Sequence, residues 1–151
     1  MNTLVYFVGA FFIARALYSF LFPTMSAATP LSLDQIQEIT KAGGTFNNSK
    51  ITLLDVRTSD ELKGGRIPHA VNVPVGELED ALKLESAAFR KKYDFDLPAP
   101  DSPNDALLVY CKSGRRTVMA VEMLAKKGYK TNLYAYHGGW DEYSALVQNA
   151  Q

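Results

Sequence analysis

The sequence predicts an α/β fold in three layers, a mostly parallel sheet flanked by helices on both faces. Three features carry that expectation. From Ser32 onward the apolar pattern alternates between helical and strand periods, and strand, helix, strand, helix in order implies right-handed crossovers. Ala106 to Tyr110 (ALLVY) is continuously apolar, as a strand covered on both faces must be. The 151 residues, 47% hydrophobic and 21% charged, suffice for one core, whereas a second would need roughly another 100 residues.

Taken in chain order, Ser32 and Gln35 form a capping box ahead of Leu33, Ile36 and Ile39, which recur at helical spacing until Gly43-Gly44 stops the helix. Ile51 to Val56 (ITLLDV) reads as a strand, Asp60 to Lys63 as one helical turn, and Val71 to Val73 as a short strand. Gly76 to Lys83 reads as a helix that resumes over Phe89 to Tyr93 before the proline-rich connection Pro98 to Pro103. After the ALLVY strand, Val118, Val121 and Leu124 predict an apolar helical stripe, and Lys126-Lys127-Gly128 supplies the cations and the glycine that a helix C-terminus favours. Leu133 to Tyr136 is the last expected strand, with Tyr134 and Tyr136 as packing residues, and Trp140 to Val147 the last helix.

The amino end differs from all of this. Thr3 to Phe22 holds one charge, Arg15, and no acidic residue precedes Asp34. Twenty helical residues at ~1.5 Å each match a hydrocarbon core of ~30 Å, while a central Arg costs about 2.5–3.5 kcal/mol. Three readings are open: a membrane anchor, a cleaved organellar presequence, or a leader bypassed by starting at Met25. A secretory signal fits worst, because no Lys or Arg precedes the apolar run. Residues 1–24 are therefore set apart as an anchor or targeting segment, 25–31 as a linker around Pro30, and 32–147 as the folded domain. Membrane association through residues 3–22, or a mitochondrial address, follows if the segment is kept or used for targeting; a cytoplasmic protein follows from a start at Met25. The sequon Asn47-Asn48-Ser49 matters only on a lumenal chain.

Sixteen basic and sixteen acidic residues cancel, so no overall field favours nucleic acid, and Arg90-Lys91-Lys92 reads as a solvated helix face. Anion recognition has to be local. With one cysteine and two histidines, neither a disulfide framework nor a thiolate metal cage is available, and neither a metal nor a cofactor is expected.

That cysteine, Cys111, follows the ALLVY strand and precedes KSGRRT, which opens a helix. Ligands in such sheets sit outside the carboxyl ends of the strands. Lys112, Arg115 and Arg116 crowd a helix N-terminus, where each cation is unfavourable by ~0.3–1 kcal/mol. The choice makes sense if the turn must hold an anion, either a thiolate or an oxyanion substrate, and the same surroundings lower a thiol pKa. The bland reading is a cysteine that packs as a small hydrophobe. A thiolate could attack the outer sulfur of thiosulfate, release sulfite and keep the sulfur as a persulfide. With no second cysteine, the acceptor must be external: a small thiol, cyanide or a partner protein's cysteine.

Cys111-Lys112-Ser113-Gly114-Arg115-Arg116 resembles the six-residue active loop of rhodanese domains in its CxxGxR form. Leu53 to Pro74 (LLDVRTSDELKGGRIPHAVNVP) resembles the family's other signature, D-V-R-x-x-x-E followed by G-x-I and A-x-N-x-P. The resemblance covers about Leu31 to Ala145. Phe89, Lys92-Tyr93, Phe95, Pro98 and Gly138 to Glu142 look like the small single-domain group that includes thiosulfate:glutathione sulfurtransferases. It implies a rhodanese-like fold, Cys111 as nucleophile, and Lys112, Ser113, Gly114, Arg115 and Arg116 as the substrate-binding loop. Thiosulfate would be the donor, and glutathione or cyanide the acceptor. Arg66, His69 and Tyr143 depart from the family's usual His, Gly and Trp. Thr117, not Arg, stands six residues after Cys111, so the loop is one residue shorter than in phosphatase relatives, which counts against a phosphatase or arsenate reductase.

Asp55 and Arg57 end a strand and read as structural support near the loop, with Glu61 beside them. His137 could reach the cysteine as a base, against the plainer reading of an exposed histidine. A second class of function stays open at this point: a non-enzymatic module that carries or senses persulfide, or docks partners at a membrane.

Overall fold

Side-chain alternation along three strands divides the core into two halves. The computed structural model describes residues 27–149; the anchor, presequence and alternative-start readings of residues 1–24 lie outside them. Strands β1 (Thr29–Pro30), β2 (Thr45–Phe46), β3 (Ser49–Asp55), β4 (Val71–Asn72), β5 (Asp105–Tyr110) and β6 (Leu133–Tyr136) form one sheet in the order β1-β6-β5-β3-β2, with β4 paired to β3 off that path. Leu54, Leu107, Val109, Leu133 and Ala135 point to one face, and Ile51, Leu53, Ala106, Leu108 and Tyr136 to the other. Helices α2 (Val75–Ala81), α3 (Ser86–Tyr93) and α4 (Arg115–Lys126) cover the first face through Leu78, Phe89, Val121 and Leu124. The second face is covered by α1 (Leu33–Lys41) and α5 (Gly139–Asn149) through Ile36, Ile39 and Tyr143. Each fully buried Leu, Ile or Val contributes about 1.5–3 kcal/mol, which is why the doubly covered strands read as unbroken apolar runs.

Pairings β1–β6, β6–β5, β5–β3 and β3–β4 are parallel; the β2–β3 hairpin alone is antiparallel. Its turn is Asn47-Asn48 with φ of 48° and 61°, the left-handed pair a two-residue hairpin needs and Asn tolerates. In register, Asp55 lies beside Tyr110 and Tyr110 beside Tyr136, so three strands end level at the edge from which the next loops spring.

Several elements depart from the sequence reading. The expected linker 25–31 partly joins the sheet: Thr29 and Pro30 pair with Tyr134 and Ala135, the Leu31 N–H donates to the Ala135 carbonyl at 2.9 Å, and Leu31 is buried. Pro30 is accommodated because β1 is an edge strand. Two-residue strands such as β1 and β2 carry no periodicity to detect. Phe89 belongs to a separate helix, α3, which begins at Ser86. On α4 the buried stripe is Thr117, Ala120, Val121 and Leu124, while Val118 is exposed. The spacing i, i+3, i+4, i+7 survives, but it starts from a polar residue. The Ser32–Gln35 capping box forms as expected, with the Ser32 N–H donating to Gln35 Oε1 at 2.9 Å.

Candidate active site

Cys111 follows the last residue of β5, and the chain turns through Lys112, Ser113 and Gly114 into α4. Gly114 is the residue before the helix, with φ of +92°, and its N–H donates to Cys111 Sγ at 3.1 Å. A Cβ at Gly114 would lie 2.7 Å from the His137 carbonyl oxygen, so glycine is required there for its conformation and for its size. The loop's carbonyls are held from behind by α5. The Trp140 N–H donates to the Cys111 carbonyl at 2.9 Å, and the Asp141 N–H to that of Lys112 at 3.1 Å. Free N–H groups of one helix N-terminus thus fix the peptide planes of the loop, leaving that loop's own N–H groups to face the sulfur.

Burial raises the Cys111 thiol pKa, but hydrogen bonding outweighs it and the net direction is down. The contributors are the Thr117 side chain and the N–H groups of Thr117, Ser113 and Gly114. The sequence argument credited the neighbouring cations first. Hydrogen bonds do most of the work instead. Cys111 is 1% exposed, so the sulfur lies beneath the loop, whereas Lys112, Ser113 and Arg115 stand exposed at the rim.

Arg116 is placed differently from the other two cations. Its guanidinium forms a two-pronged pair with Glu61, Nη1 to Oε2 at 2.5 Å and Nη2 to Oε1 at 2.7 Å, and the Cys111 charge raises its pKa further. Glu61 also accepts from the Thr58 N–H and hydroxyl, each at 3.0 Å. The Arg116 contact first, then Thr58, hold its pKa down to about 2 against the cost of burial.

Behind this pair, Asp55 and Arg57 form a buried ion pair. Arg57 Nη2 lies 2.7 Å from Asp55 Oδ2, and Nε is 3.0 Å from both carboxylate oxygens. The same Nη2 donates to the Gly65 carbonyl at 2.9 Å and Nη1 to that of Glu61 at 3.4 Å, which pins the short turn carrying Glu61. The guanidinium lies over the Trp140 ring at 5.1 Å. Asn72, from the A-x-N-x-P segment, donates to the Asp55 and Arg57 carbonyls at 2.8 and 2.9 Å. His137 is exposed, and it is its backbone that abuts the loop. The sequence reading did not single out Thr117, Gly139 or Trp140 as parts of the site.

The family model described as "Rhodanese-like domain" matches residues 38–146. The chain belongs to the rhodanese family. It is 43% identical over 97 residues to a "Putative thiosulfate sulfurtransferase, mitochondrial" of Schizosaccharomyces pombe, covering 64% of this chain and 66% of that one. It is 33% identical over 119 residues to the human "Thiosulfate:glutathione sulfurtransferase", covering 79% and 96%. Among solved structures, the human single-domain sulfurtransferase TSTD1 superposes with a TM-score of 0.66 at 32% identity, over 78% of this chain and 96% of that one. The rhodanese-like fold expected from the loop and from the D-V-R segment is the fold observed.

Proposed function

We propose that this rhodanese-family chain is a sulfurtransferase that takes sulfane sulfur from thiosulfate onto Cys111 and passes it to a thiol or cyanide. The observation that carries this reading is the Cys111 sulfur itself, seated at a strand-to-helix turn, accepting the Gly114 N–H at 3.1 Å, its pKa lowered despite burial. In the first half-reaction the thiolate attacks the outer sulfur of thiosulfate. A new S–S bond forms, the bond to the sulfite sulfur breaks, and sulfite leaves with the electron pair. In the second, an acceptor thiolate attacks the outer persulfide sulfur and Cys111 departs as thiolate, so charge balances in each step. The loop N–H groups from Ser113 to Thr117 stabilise the anions. Exposed Lys112 and Arg115 draw thiosulfate in, Arg116 supplies a third positive charge near the sulfur, and Asp55 and Arg57 brace the site.

Relatives named for thiosulfate support the donor, and one named for glutathione supports a small thiol as acceptor. Residues 32–147 would form the catalytic domain. Relatives named as mitochondrial in Schizosaccharomyces pombe and Saccharomyces cerevisiae favour that compartment, with residues 1–24 as the address. No helix among the described residues is long and apolar enough to cross a membrane.

The test is intact mass after thiosulfate, together with sulfite release. The full chain should gain one sulfur atom and turn over with glutathione or cyanide, and Cys111→Ser should do neither. The deep seat of the sulfur favours one second reading, a persulfide carrier; it predicts the added sulfur without turnover on small acceptors. Absence of the adduct would overturn both.

A further inference from the structure

Tyr136, the last residue of β6, is 1% exposed, and a phenol hydroxyl so placed needs a hydrogen-bond partner. It donates to Glu142 Oε2 at 2.7 Å. Glu142 stands in the first turn of α5 with its N–H on the Gly138 carbonyl at 3.4 Å, and its carboxylate reaches back to the end of the sheet. Gly138 makes room for it: a Cβ there would overlap Glu142 Oε2 and sit 3.0 Å from the Tyr136 ring. The same turn of α5 donates the N–H groups of Trp140 and Asp141 to the carbonyls of Cys111 and Lys112. One helical turn is therefore fastened on two sides, to the sheet by a carboxylate and to the reactive loop by its backbone.

We propose that Glu142 is a positioning residue for the sulfur chemistry: by accepting the Tyr136 hydroxyl it sets the first turn of α5, and through that turn the peptide planes around Cys111. The proposal rests on the reading of Cys111 as nucleophile and adds two residues that the loop motif does not include. The chain of contact is short. Tyr136 lies level with Tyr110 across the sheet, and Cys111 follows Tyr110. The carbonyl of His137, next to Tyr136, abuts Gly114, whose N–H meets the sulfur. A loop N–H stabilises an anion only while it points at it, so a turn left free to rock weakens those bonds. Loss of the Tyr136–Glu142 latch thus raises the affinity of the sulfur for its proton and slows attack on thiosulfate. Glu142 acts through α5, and no proton passes between it and the sulfur.

Charge and position predict opposite signs. Removing a nearby carboxylate by itself makes a thiolate easier to form, whereas loosening the loop makes it harder. Tyr136→Phe separates the two, because it deletes one oxygen and leaves the ring, the Glu142 charge and the charges of Arg116, Glu61, Asp55 and Arg57 in place. Cys111 is the sole thiol of the chain, so thiolate absorbance, with the matching Cys111→Ser chain as blank, follows this one group. In the full chain, Tyr136→Phe should make the sulfur hold its proton about threefold more tightly, with alkylation at neutral pH slowed in proportion. Glu142→Ala should shift it the same way, and adding that change to Tyr136→Phe should raise it no further. Glu142→Gln keeps an acceptor oxygen and should not rise above the parent, a rescue that loss of packing would not give.

Identical titration of Tyr136→Phe and the parent would overturn the proposal. If that variant does not fold, judged by circular dichroism, the two Glu142 variants decide: Ala raised and Gln not raised supports the latch, and any other result overturns it. Because the readout needs no thiosulfate, a chain that titrates as expected yet forms no persulfide would disprove the sulfurtransferase reading and leave the latch standing.

Discussion

The Arg116 guanidinium and the Glu61 carboxylate meet prong to prong at 2.5 and 2.7 Å across 55 positions of sequence. The pair ties the start of α4 to the turn Glu61–Gly64, which Arg57 anchors in its turn. Glu61 thus holds the Arg116 guanidinium toward that turn.

That relationship sets a pH dependence. Glu61 titrates at about 2 in the folded chain against an ordinary 4.5. A depressed folded pKa contributes stability that is complete above the ordinary value and lost as pH falls from about 4.5 toward 2. Urea unfolding at a series of acid pH values should show this loss in the parent and a shallower one in Glu61→Gln. At neutral pH that variant should be about 1 kcal/mol less stable.

The buried brace gives a larger effect. Arg57 is 1% and Asp55 0% exposed, and the pair also holds the carbonyls of Glu61 and Gly65. Asp55→Asn leaves Arg57 as an uncompensated buried charge and should cost about 3–5 kcal/mol in urea unfolding. Removal of both partners should cost less than the sum of the two single changes.

Gly139 carries a backbone prediction. Its φ is +64°, and a Cβ there would sit 2.4 Å from the Lys112 carbonyl oxygen and 2.6 Å from that of Cys111. Gly139→Ala should destabilise the chain by more than about 2 kcal/mol and displace the loop. Thermal melting checks the first part, and a raised thiol pKa in the surviving folded fraction the second.

The rim cations should act on encounter and hardly at all on folding. Lys112 and Arg115 are exposed, so Lys112→Ala and Arg115→Ala should leave stability within about 0.5 kcal/mol of the parent. The KM for thiosulfate should rise about two- to fivefold, and the salt dependence of kcat/KM should flatten. Steady-state sulfite release at two ionic strengths checks both.

Much of this site was legible in the sequence because it is local. The ALLVY run fixes where β5 ends, and with it the edge on which Cys111 stands. Gly114 before Arg115 marks the turn into α4, and Asp55 and Arg57 sit two residues apart at the end of β3. What local pattern could not show depends on distant partners. Arg116 reads as one of three loop cations until Glu61, far away in the chain, claims it. The sulfur reads as a rim group until the folded chain buries it, leaving Cys111 1% exposed. Thr117 was passed over because a polar residue within an apolar period looks like a break in the stripe. It is in fact the stripe's first member, the residue that brings a hydroxyl inside.

Because the opening N–H groups of α5 grip the carbonyls of Cys111 and Lys112, the last helix serves as a handle on the reactive turn. Whatever levers that handle, whether a deletion from the carboxyl end or a bulky fusion abutting it, would re-aim the peptide groups surrounding the sulfur. An injury at one extremity of the molecule would then be felt first as a change in the acidity of a single atom.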